Sequence, residues 1–560
     1  MKMNDKSMRL SDAIYYFVFT LIFIFLIWKC RYGYANMDEA FYLTIPYRLC
    51  MGDGLFIHEW HLSQMASLLL YPIMKFYLFL FHDTEGILLH FRWLFTVVWS
   101  ASALFIRYRL GCFSKVGSYV AALTVLIYAP FGIMALSYNS LGIMTLLCAC
   151  VILITAKTHL RIQYSLSGVL YACSVLCCPY NIVIYIFFTV ATFFSAANGK
   201  SQLIRCWLFV TIFSVVSFCI FCAFVFSRCQ ISTLFKIIPW ILDDPEHPHV
   251  SFFKKSKDFI ECSFSRNAFT KTINVFGTIF IIIGRIKKDS RPICFAGISL
   301  IIMASLLQTY ICDAYLNFIM YPMMLMGIYC AFTCSSRKIR LLFWGLWFQG
   351  FLYSFLLNLS SNQNYYAISS GTTLCTVASI VMAMQYVQEM KKEHMPTVFR
   401  RIMLFCLSFL FVLQIGIELQ VRYTSVFWEE QSMQGQTTLA EDGPEKGILM
   451  TPVKIALCNR LSDGIKPIKD DDRIQNVLFV TPNVVSYLYA EKEFATYSAW
   501  LSGLTRASVS RMDAYYRFNP EKIPDIVYME DAENPFFEYF IEKGYIPEEY
   551  DSCWYIRKPI

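Results

Sequence analysis

The sequence has few charged residues and lacks the motifs of soluble nucleotide-using enzymes. Only 16% of its 560 residues are Asp, Glu, Lys or Arg, whereas a soluble domain carries about 25%. It contains no Walker loop, no GxGxxG fingerprint, no internal repeat and no low-complexity tract. Most of its 21 cysteines lie inside apolar runs, where cysteine acts as a small apolar residue. These features exclude small soluble enzymes, disordered chains and disulfide scaffolds.

Apolar residues are abundant instead. Hydrophobic side chains make up 57% of the chain and aromatic side chains 17%. Because one bilayer crossing takes about 20 apolar residues, this composition supplies roughly a dozen crossings and leaves residues to spare. The sequence therefore predicts an α-helical polytopic membrane protein.

Thirteen apolar runs are candidate spans. The first follows Lys2, Lys6 and Arg9 without a small-residue cleavage site, as in a signal anchor whose N-terminus is inside. In that frame, 21 of the 33 basic residues before residue 422 fall in cytoplasmic gaps, as the positive-inside rule requires. The runs lie at 14–28, 87–106, 116–134, 140–156, 166–177, 180–197, 206–226, 268–284, 292–311, 317–334, 341–358, 368–386 and 402–421.

The stretch from 166 to 197 allows two interpretations because Pro179 divides it. A proline removes a backbone donor and interrupts a helix, so we interpret the stretch as a helical hairpin. The alternative is a single kinked span, which would move every later loop to the other side of the membrane.

The charge is distributed unevenly along the chain. Residues 422–560 hold 15 basic and 22 acidic residues, whereas residues 1–421 hold 33 basic and 18 acidic. The upstream surplus lies in short gaps between apolar runs, so positive-inside bias explains it better than nucleic acid binding. An odd number of spans places the acidic tail outside. Its strand-like and helical stretches predict a small extracytoplasmic α/β domain at 422–560, after a transmembrane domain at 1–421.

Two other external segments, 31–85 and 227–268, are too long to be simple turns. The apolar part of the first, from Met65 to Phe81, is interrupted by Tyr, Pro and Lys75. This pattern favours helices that lie in the membrane interface over another span. Function is expected in these two loops and in the tail.

The first external loop begins with adjacent carboxylates, Asp38 and Glu39, and continues with a second group of acids and histidines that includes Glu59 and His61. One interpretation is a solvated loop whose helix starts with acids, which the helix dipole favours. The other is that these groups perform chemistry at the membrane surface.

The passage DEAFYLTIPYRLCMGDGLFIHEWHLSQMASLLLYPIMKFY, at residues 38–77, resembles the first external loop of GT-C membrane glycosyltransferases. Similar proteins include the protein O-mannosyltransferases and the aminoarabinose transferases of lipid A. The resemblance extends more loosely to the thirteen-span plan and the external C-terminal domain. The segment from His58 to Gln64 differs, because it lacks the His-Pro-Pro or Lys-Pro-Pro sequence common in those families, so the resemblance does not name the acceptor.

The resemblance implies an inverting glycosyltransferase at the outer face of the bacterial cytoplasmic (inner) membrane. Its donor would be a polyprenyl-phosphate sugar and its acceptor a lipid or a glycan, with no cofactor. Asp38 matches the catalytic acid of the family, and its carboxylate would accept the proton of the attacking hydroxyl. Glu39 would orient the loop or the acceptor.

A fixed cation beside the departing lipid phosphate would stabilise the transition state. Arg92 is the first candidate, because a charge inside a span is costly without a partner. Alternatively, Arg92 snorkels to the interface or pairs with a nearby acid. Lys254 and Lys255 in the second long loop are further candidates for phosphate binding, although lysine-rich loops are usually solvated.

Several polar residues are candidates for substrate binding. Tyrosine rings can stack on a sugar and amides can hydrogen-bond its hydroxyls, although short polar segments of this kind also form ordinary turns. The acids and histidines of the second long loop could also hold a divalent cation, which we consider the weaker interpretation. The candidates are Glu59, His61, Tyr138, Asn139, Asp243, Asp244 and His247.

Three other functions compete with glycosyl transfer. A transporter or flippase of lipid-linked saccharides would place ionisable residues near mid-membrane and use broken helices. An O-antigen ligase or polymerase would also use lipid-linked sugars outside the membrane. A scaffold protein would act through its acidic tail and would not need Asp38.

Overall fold

The protein is a helical polytopic membrane protein, as predicted. The computed structural model describes residues 5–34, 38–157, 159–195, 199–243, 250–264, 267–287, 290–311, 320–361, 363, 365–392, 395–424, 432–501, 505–550 and 553–559.

Nineteen helices occupy the described residues up to Thr424. In chain order, they are α1 (Asp5–Lys29), α2 (Asp38–Cys50), α3 (Ser67–Phe81), α4 (Ile87–Leu110), α5 (Lys115–Ile127), α6 (Tyr138–Thr155), α7 (Leu160–Cys177), α8 (Asn181–Ser195), α9 (Gly199–Phe226), α10 (Ile231–Leu242), α11 (Phe252–Phe264), α12 (Ala268–Ile286), α13 (Arg291–Ile311), α14 (Met320–Thr333), α15 (Arg337–Leu342), α16 (Phe348–Ser360), α17 (Tyr365–Gly371), α18 (Thr373–Lys392) and α19 (Thr397–Thr424).

Among the described residues, ten helical stretches are long and apolar enough to cross a membrane. They are Arg9–Lys29, Gln64–Phe81, Ile87–Leu110, Lys115–Gly132, Tyr138–Thr155, Ile204–Phe226, Ala268–Ile286, Arg291–Gln308, Arg337–Ser360 and Thr397–Thr424. An eleventh crossing is possible where α17 and α18 meet at a bend of 49°. The predicted count of thirteen is therefore not reproduced.

The differences from the predicted spans have local causes. The stretch from Met65 to Phe81 was predicted to lie in the interface; the helical stretch Gln64–Phe81 continues through Pro72 and, by its length and composition, could also cross the membrane. The chain also breaks at Pro179, where α7 ends at Cys177 and α8 begins at Asn181. The described part of α8 has 15 residues and spans about 22 Å at 1.5 Å per residue, compared with a hydrocarbon core about 30 Å thick.

Helix α19 shows how sequence spacing decides which face is buried. Its buried side chains recur at intervals of three or four residues, which places them on one face of a helix. This face packs against α5 and α18. The stripe consists of Phe399, Met403, Leu407, Phe411, Gln414 and Glu418. Its last two members are polar, although they lie in a membrane helix.

The named strands of the described residues all lie in the C-terminal part. They are β1 (Thr438–Leu439), β2 (Leu449–Met450), β3 (Asn476–Val480), β4 (Glu493–Phe494), β5 (Ile526–Met529), β6 (Ile546–Tyr550) and β7 (Cys553–Arg557). The main helices among them are α20 (Pro452–Lys469), α21 (Ser486–Ala490), α22 (Arg506–Phe518) and α23 (Pro535–Glu542).

The larger sheet has the strand order β4-β3-β5-β7-β6. Strands β4, β3 and β5 are parallel, whereas β7 pairs antiparallel with both β5 and β6. Residues of this sheet share one hydrophobic core with the helices before Thr424. A separate domain beginning at residue 422 therefore remains a prediction.

The C-terminal part is joined to the segment that follows α1. The Leu449 N–H donates to the Arg31 carbonyl at 2.6 Å, and the Gly33 N–H donates to the Leu449 carbonyl at 2.8 Å. Gly33 has φ = +75°, a left-handed conformation that glycine adopts without steric cost. The C-terminal part and the first long loop consequently lie on the same side of the helical bundle.

Candidate functional site

Asp38 is the first residue of α2, a helix with Asp38 and Glu39 in its first turn. The positive end of the helix dipole favours acids at this position. The carboxyl of Asp38 is partly exposed, and burial raises its pKa to about 6. A carboxyl with this pKa is mainly ionised at neutral pH, yet it binds a proton more readily than an ordinary aspartate does.

Two tyrosines and an asparagine accompany Asp38. The carboxyl is close enough to Tyr42 and Tyr138 to interact electrostatically with both phenol groups. Their rings meet edge to face with centroids 5.7 Å apart, and the Asn139 side chain is within hydrogen-bonding reach of both hydroxyls. Among the described residues, the buried Oδ1 of Asn139 has no hydrogen-bond partner. The structure thus brings together three of the predicted site residues, Asp38, Tyr138 and Asn139.

The tyrosine cluster continues inward from Tyr138. The Cys178 thiol contacts the Tyr138 carbonyl at 3.7 Å and the Tyr353 hydroxyl at 3.5 Å. The Tyr353 ring stacks with Tyr180 at 6.2 Å between centroids. Aromatic faces and hydroxyls of this kind suit a ligand with both an apolar ring face and hydroxyl groups.

Arg92 differs from its predicted role as a phosphate ligand. Its Nε donates to Glu39 Oε1 at 2.5 Å and its Nη2 donates to Glu39 Oε2 at 2.7 Å. Its Nη1 and Nη2 also donate to the carbonyls of Cys30 and Gly33, each at 2.7 Å. Since these bonds use all three nitrogens of a buried guanidinium, Arg92 is not free to bind a phosphate in this conformation. The alternative interpretation, pairing with a nearby acid, describes what is observed.

Glu39 is not available in this conformation to act as a base or to bind a substrate. Both of its oxygens bind Arg92, and the side chain is 1% exposed. The pair fixes the first turn of α2 to the chain segment after α1. Glu39 thus ties the residue next to Asp38 to Arg92, and its predicted role in orienting the loop or the acceptor stays a prediction.

Glu59 belongs to a buried ionic interface with the C-terminal part. Arg48 donates to Asp53 at 2.5 Å, to Glu59 at 3.1 Å, to the Thr496 carbonyl at 2.7 Å and to the Tyr515 hydroxyl at 3.0 Å. Glu59, predicted to bind substrate, is buried and paired with Arg48 in this conformation.

Asp53 receives a second cation at the same interface. Lys522 lies 2.7 Å from Asp53 and 2.8 Å from Glu493. Burial alone would raise the pKa of Asp53, but Arg48, His58 and Lys522 together hold that pKa below its ordinary value. The second acid and histidine cluster therefore docks the first loop onto the C-terminal part.

His61 also contributes to this packing. Its Nδ1 contacts the Ser63 N–H at 3.1 Å and the Ser63 hydroxyl at 2.7 Å. Its ring packs edge to face on Phe41 at 4.7 Å between centroids, and Phe41 packs on Trp500 at 5.2 Å. The imidazole thus stabilises the turn before α3.

The described residues of the second long loop make contacts of their own. Lys255 is buried and its ammonium binds the Ser361 carbonyl, which fixes α11 to the end of α16. Lys254 is exposed and Asp243 ends α10. No hydrogen bond or ion pair in the described ranges joins Asp243 or Lys254 to the Asp38 cluster. The predicted residues Asp244 and His247 lie outside the described residues.

Sequence reasoning missed a group of ionisable residues at the ends of α1 and α19. Lys29 is 2% exposed and interacts electrostatically with Arg92 and Arg422. Glu418 is buried, and neither carboxylate oxygen has a hydrogen-bond partner in the described part of the chain. The sequence did contain an indication, because Glu418 lies inside the apolar run 402–421 and an ionisable residue in such a run is a functional-site hypothesis by default.

A metal site is not evident in the described ranges, which contain no group of three or more His, Cys, Asp or Glu side chains able to hold an ion. Independence of metal stays a prediction. No protein-family model matches the chain, and no curated protein matches it.

Proposed function

We propose that the protein is an inverting glycosyltransferase at the outer face of the bacterial cytoplasmic membrane. It moves a sugar from a polyprenyl-phosphate carrier to a lipid or glycan acceptor. The observation that carries the proposal is the Asp38 carboxyl, which is half-buried beside tyrosines at the start of α2 and has a pKa raised to about 6.

Asp38 acts as the general base. The acceptor oxygen forms a bond to the anomeric carbon while the bond between that carbon and the phosphate oxygen breaks. The lipid phosphate leaves with the electron pair, and the hydroxyl proton passes to Asp38. A base whose pKa lies near the working pH is efficient in such a transfer.

The cations at the outer ends of α1 and α19 bind the donor phosphate. Lys29, Arg92 and Arg422 lie near one another; among the described residues, Glu39 pairs with Arg92 and Glu418 lies near Arg422. A phosphodiester anion would be attracted to such a group of basic side chains. Because Arg92 is occupied by Glu39, this role passes to Lys29 and Arg422.

Tyr42, Tyr138 and Asn139 bind the sugar. The two rings offer faces and hydroxyls, and the buried Asn139 Oδ1 without a partner accepts a hydroxyl hydrogen. Such a bond would satisfy a polar atom that is costly to leave unpaired.

Reconstituted protein tests the proposal with a panel of radiolabelled polyprenyl-phosphate sugars and envelope lipids as acceptors. Asp38→Asn removes the base but keeps the size of the side chain, so kcat should fall by about 10²–10⁴-fold with little change in donor KM. Asp472→Asn, which alters an exposed carboxyl of the C-terminal part, is the matched control. Transfer that persists at the wild-type rate in Asp38→Asn would exclude Asp38 as the base.

A transporter of lipid-linked saccharides is the second candidate. The 49° bend between α17 and α18 and the buried Glu418 favour it, since transporters use broken helices and intramembrane charges. In sealed proteoliposomes, a transporter would move a fluorescent lipid-linked sugar to the other leaflet without breaking the glycosidic bond. That movement would depend on Glu418 and survive Asp38→Asn.

A further inference from the structure

The C-terminal sheet contains the strand arrangement that creates ligand crevices in α/β proteins. From β3, the chain passes to β4 on one side, and then through α22 to β5 on the other side of β3. All three strands are parallel. In open sheets, ligands bind outside the carboxyl ends of the strands where the strand order reverses. Here that place is the end of β3 and β5.

A pocket of about 130 Å³ occupies this place. Asn483 follows β3, while Tyr528 and Glu530 come from the end of β5. Helix α20 supplies Arg460, and the segment after α1 supplies Tyr34. The pocket is therefore built jointly by the C-terminal part and the chain that leads to Asp38.

Hydrogen bonds hold the polar wall of the pocket in place. Glu530 Oε1 accepts from the Thr481 hydroxyl at 2.9 Å and from Asn483 Nδ2 at 3.2 Å. The Asn483 N–H donates to the Thr481 hydroxyl at 3.1 Å. These bonds join the ends of β3 and β5, so the carboxylate and the amide are positioned before any ligand binds.

The aromatic wall is fixed from behind by Glu445. This fully buried residue accepts a bond from the Tyr489 hydroxyl at 2.7 Å and also hydrogen-bonds Tyr34. Tyr34 and Tyr528 line the pocket together with the guanidinium of Arg460, the carboxylate of Glu530 and the amide of Asn483. Rings combined with planar polar groups suit a ring-shaped polyol, because the ring packs on aromatic carbon while its hydroxyls bond to the charged groups.

The pocket is near the proposed base. Tyr34 and Asp38 are four residues apart, so their Cα atoms are separated by at most about 14 Å. A ligand in the pocket therefore lies close enough for a neighbouring unit of the same chain to approach Asp38.

We propose that this pocket binds one sugar unit of the acceptor glycan and presents the adjoining unit to Asp38. That the bound saccharide is the acceptor rests on the proposed function, whereas saccharide binding in the pocket does not.

Saturation-transfer NMR and calorimetry on the full chain in nanodiscs test the proposal. The probes are the methyl glycosides of glucose, galactose, N-acetylglucosamine and glucuronic acid. Maltoside detergents must be absent because their headgroups are sugars. Arg460→Met and Glu530→Gln each remove a charge from the wall, so binding should weaken about tenfold or more.

Matched controls keep the result interpretable. Arg506→Met and Glu533→Gln change exposed residues of the same part of the chain and should bind as wild type does. Leu457→Trp, at an exposed residue of the pocket rim, should block binding by filling the pocket. The proposal is overturned if none of the four probes binds, or if the pocket variants bind as the controls do. Competition by inorganic phosphate alone would identify an anion site and also overturn it.

The outcomes separate this inference from the proposed function. Asp38→Asn should bind the probes normally while transfer is lost. If the methyl glycosides bind in the pocket but the wild-type protein transfers no sugar, the proposed function is excluded and saccharide binding in the pocket stands. Sugar transfer that is unaffected by Leu457→Trp would exclude the pocket as an acceptor-binding site and leave the proposed function intact.

Discussion

The buried pair of Glu39 and Arg92 gives the sharpest test of how the site is held. Glu39→Gln leaves the guanidinium of Arg92 buried without a counter-charge. Removing one partner of a buried ion pair costs about 3–5 kcal/mol. We therefore expect the free energy of unfolding to fall by about this amount, with a loss of kcat because α2 no longer holds Asp38.

Removing both partners should cost less than the two single changes together. In Glu39→Leu/Arg92→Leu no unpaired charge remains, and the main loss is the two carbonyl bonds to Cys30 and Gly33, worth about 1 kcal/mol each. The double variant should thus lose about 2 kcal/mol. The losses expected for Glu39→Leu and Arg92→Leu separately sum to about 6–10 kcal/mol, which is several kcal/mol more than the loss expected for the double variant.

Denaturant titration in mixed micelles measures these free energies, and transfer assays give donor KM for each variant. Arg161→Leu, a change at an exposed arginine of α7, controls for the loss of a cation. If Arg92 instead bound the donor phosphate, Arg92→Leu would raise donor KM by about 10–100-fold, with or without Glu39. That result, together with additive stability losses, would refute the reasoning.

Three further predictions concern other parts of the site. The acid limb of kcat/KM should titrate near pH 6, not near pH 4, because burial raises the pKa of Asp38 to about 6 and the base must be ionised. Arg48→Met should cost about 3–5 kcal/mol in unfolding free energy, since it leaves the buried Glu59 without its cation. Limited proteolysis should then cut residues 51–63, and equal protease resistance would contradict this. Glu418→Gln should alter donor KM in transfer assays; an unchanged KM would place Glu418 outside the donor site.

The apolar runs predicted most of the helical plan but not its details. Long uninterrupted runs such as 206–226 and 402–421 became helices that can cross a membrane. The interrupted stretch with Pro72 and Lys75 was predicted to be interfacial, and its helix Gln64–Phe81 also has the length and composition of a span, so that prediction stays open. Local composition gives the hydrophobicity of a segment. It does not show whether the neighbouring helices allow that segment to cross the membrane.

The candidate site was predicted in part. The resemblance pointed to Asp38, and the cost of a charge inside a span indicated that Arg92 needs a partner. The partner itself could not be read from the sequence, because Glu39 and Arg92 are 53 positions apart. The surroundings of Glu59 were hidden for the same reason: its ion-pair partner Arg48 also bonds to Tyr515, 467 positions away from Arg48. Long-range contacts of this kind leave no local pattern.

The backbone pairing of Leu449 with Arg31 and Gly33 has a consequence for biogenesis. The ribosome delivers the segment after α1 early, and the strand that completes it arrives only when most of the chain has been translated. Until then the segment lacks these partners, so a prematurely terminated product would insert its first helices without an assembled Asp38 region. Expression of chains that stop before Leu449 should consequently yield inserted but inactive protein.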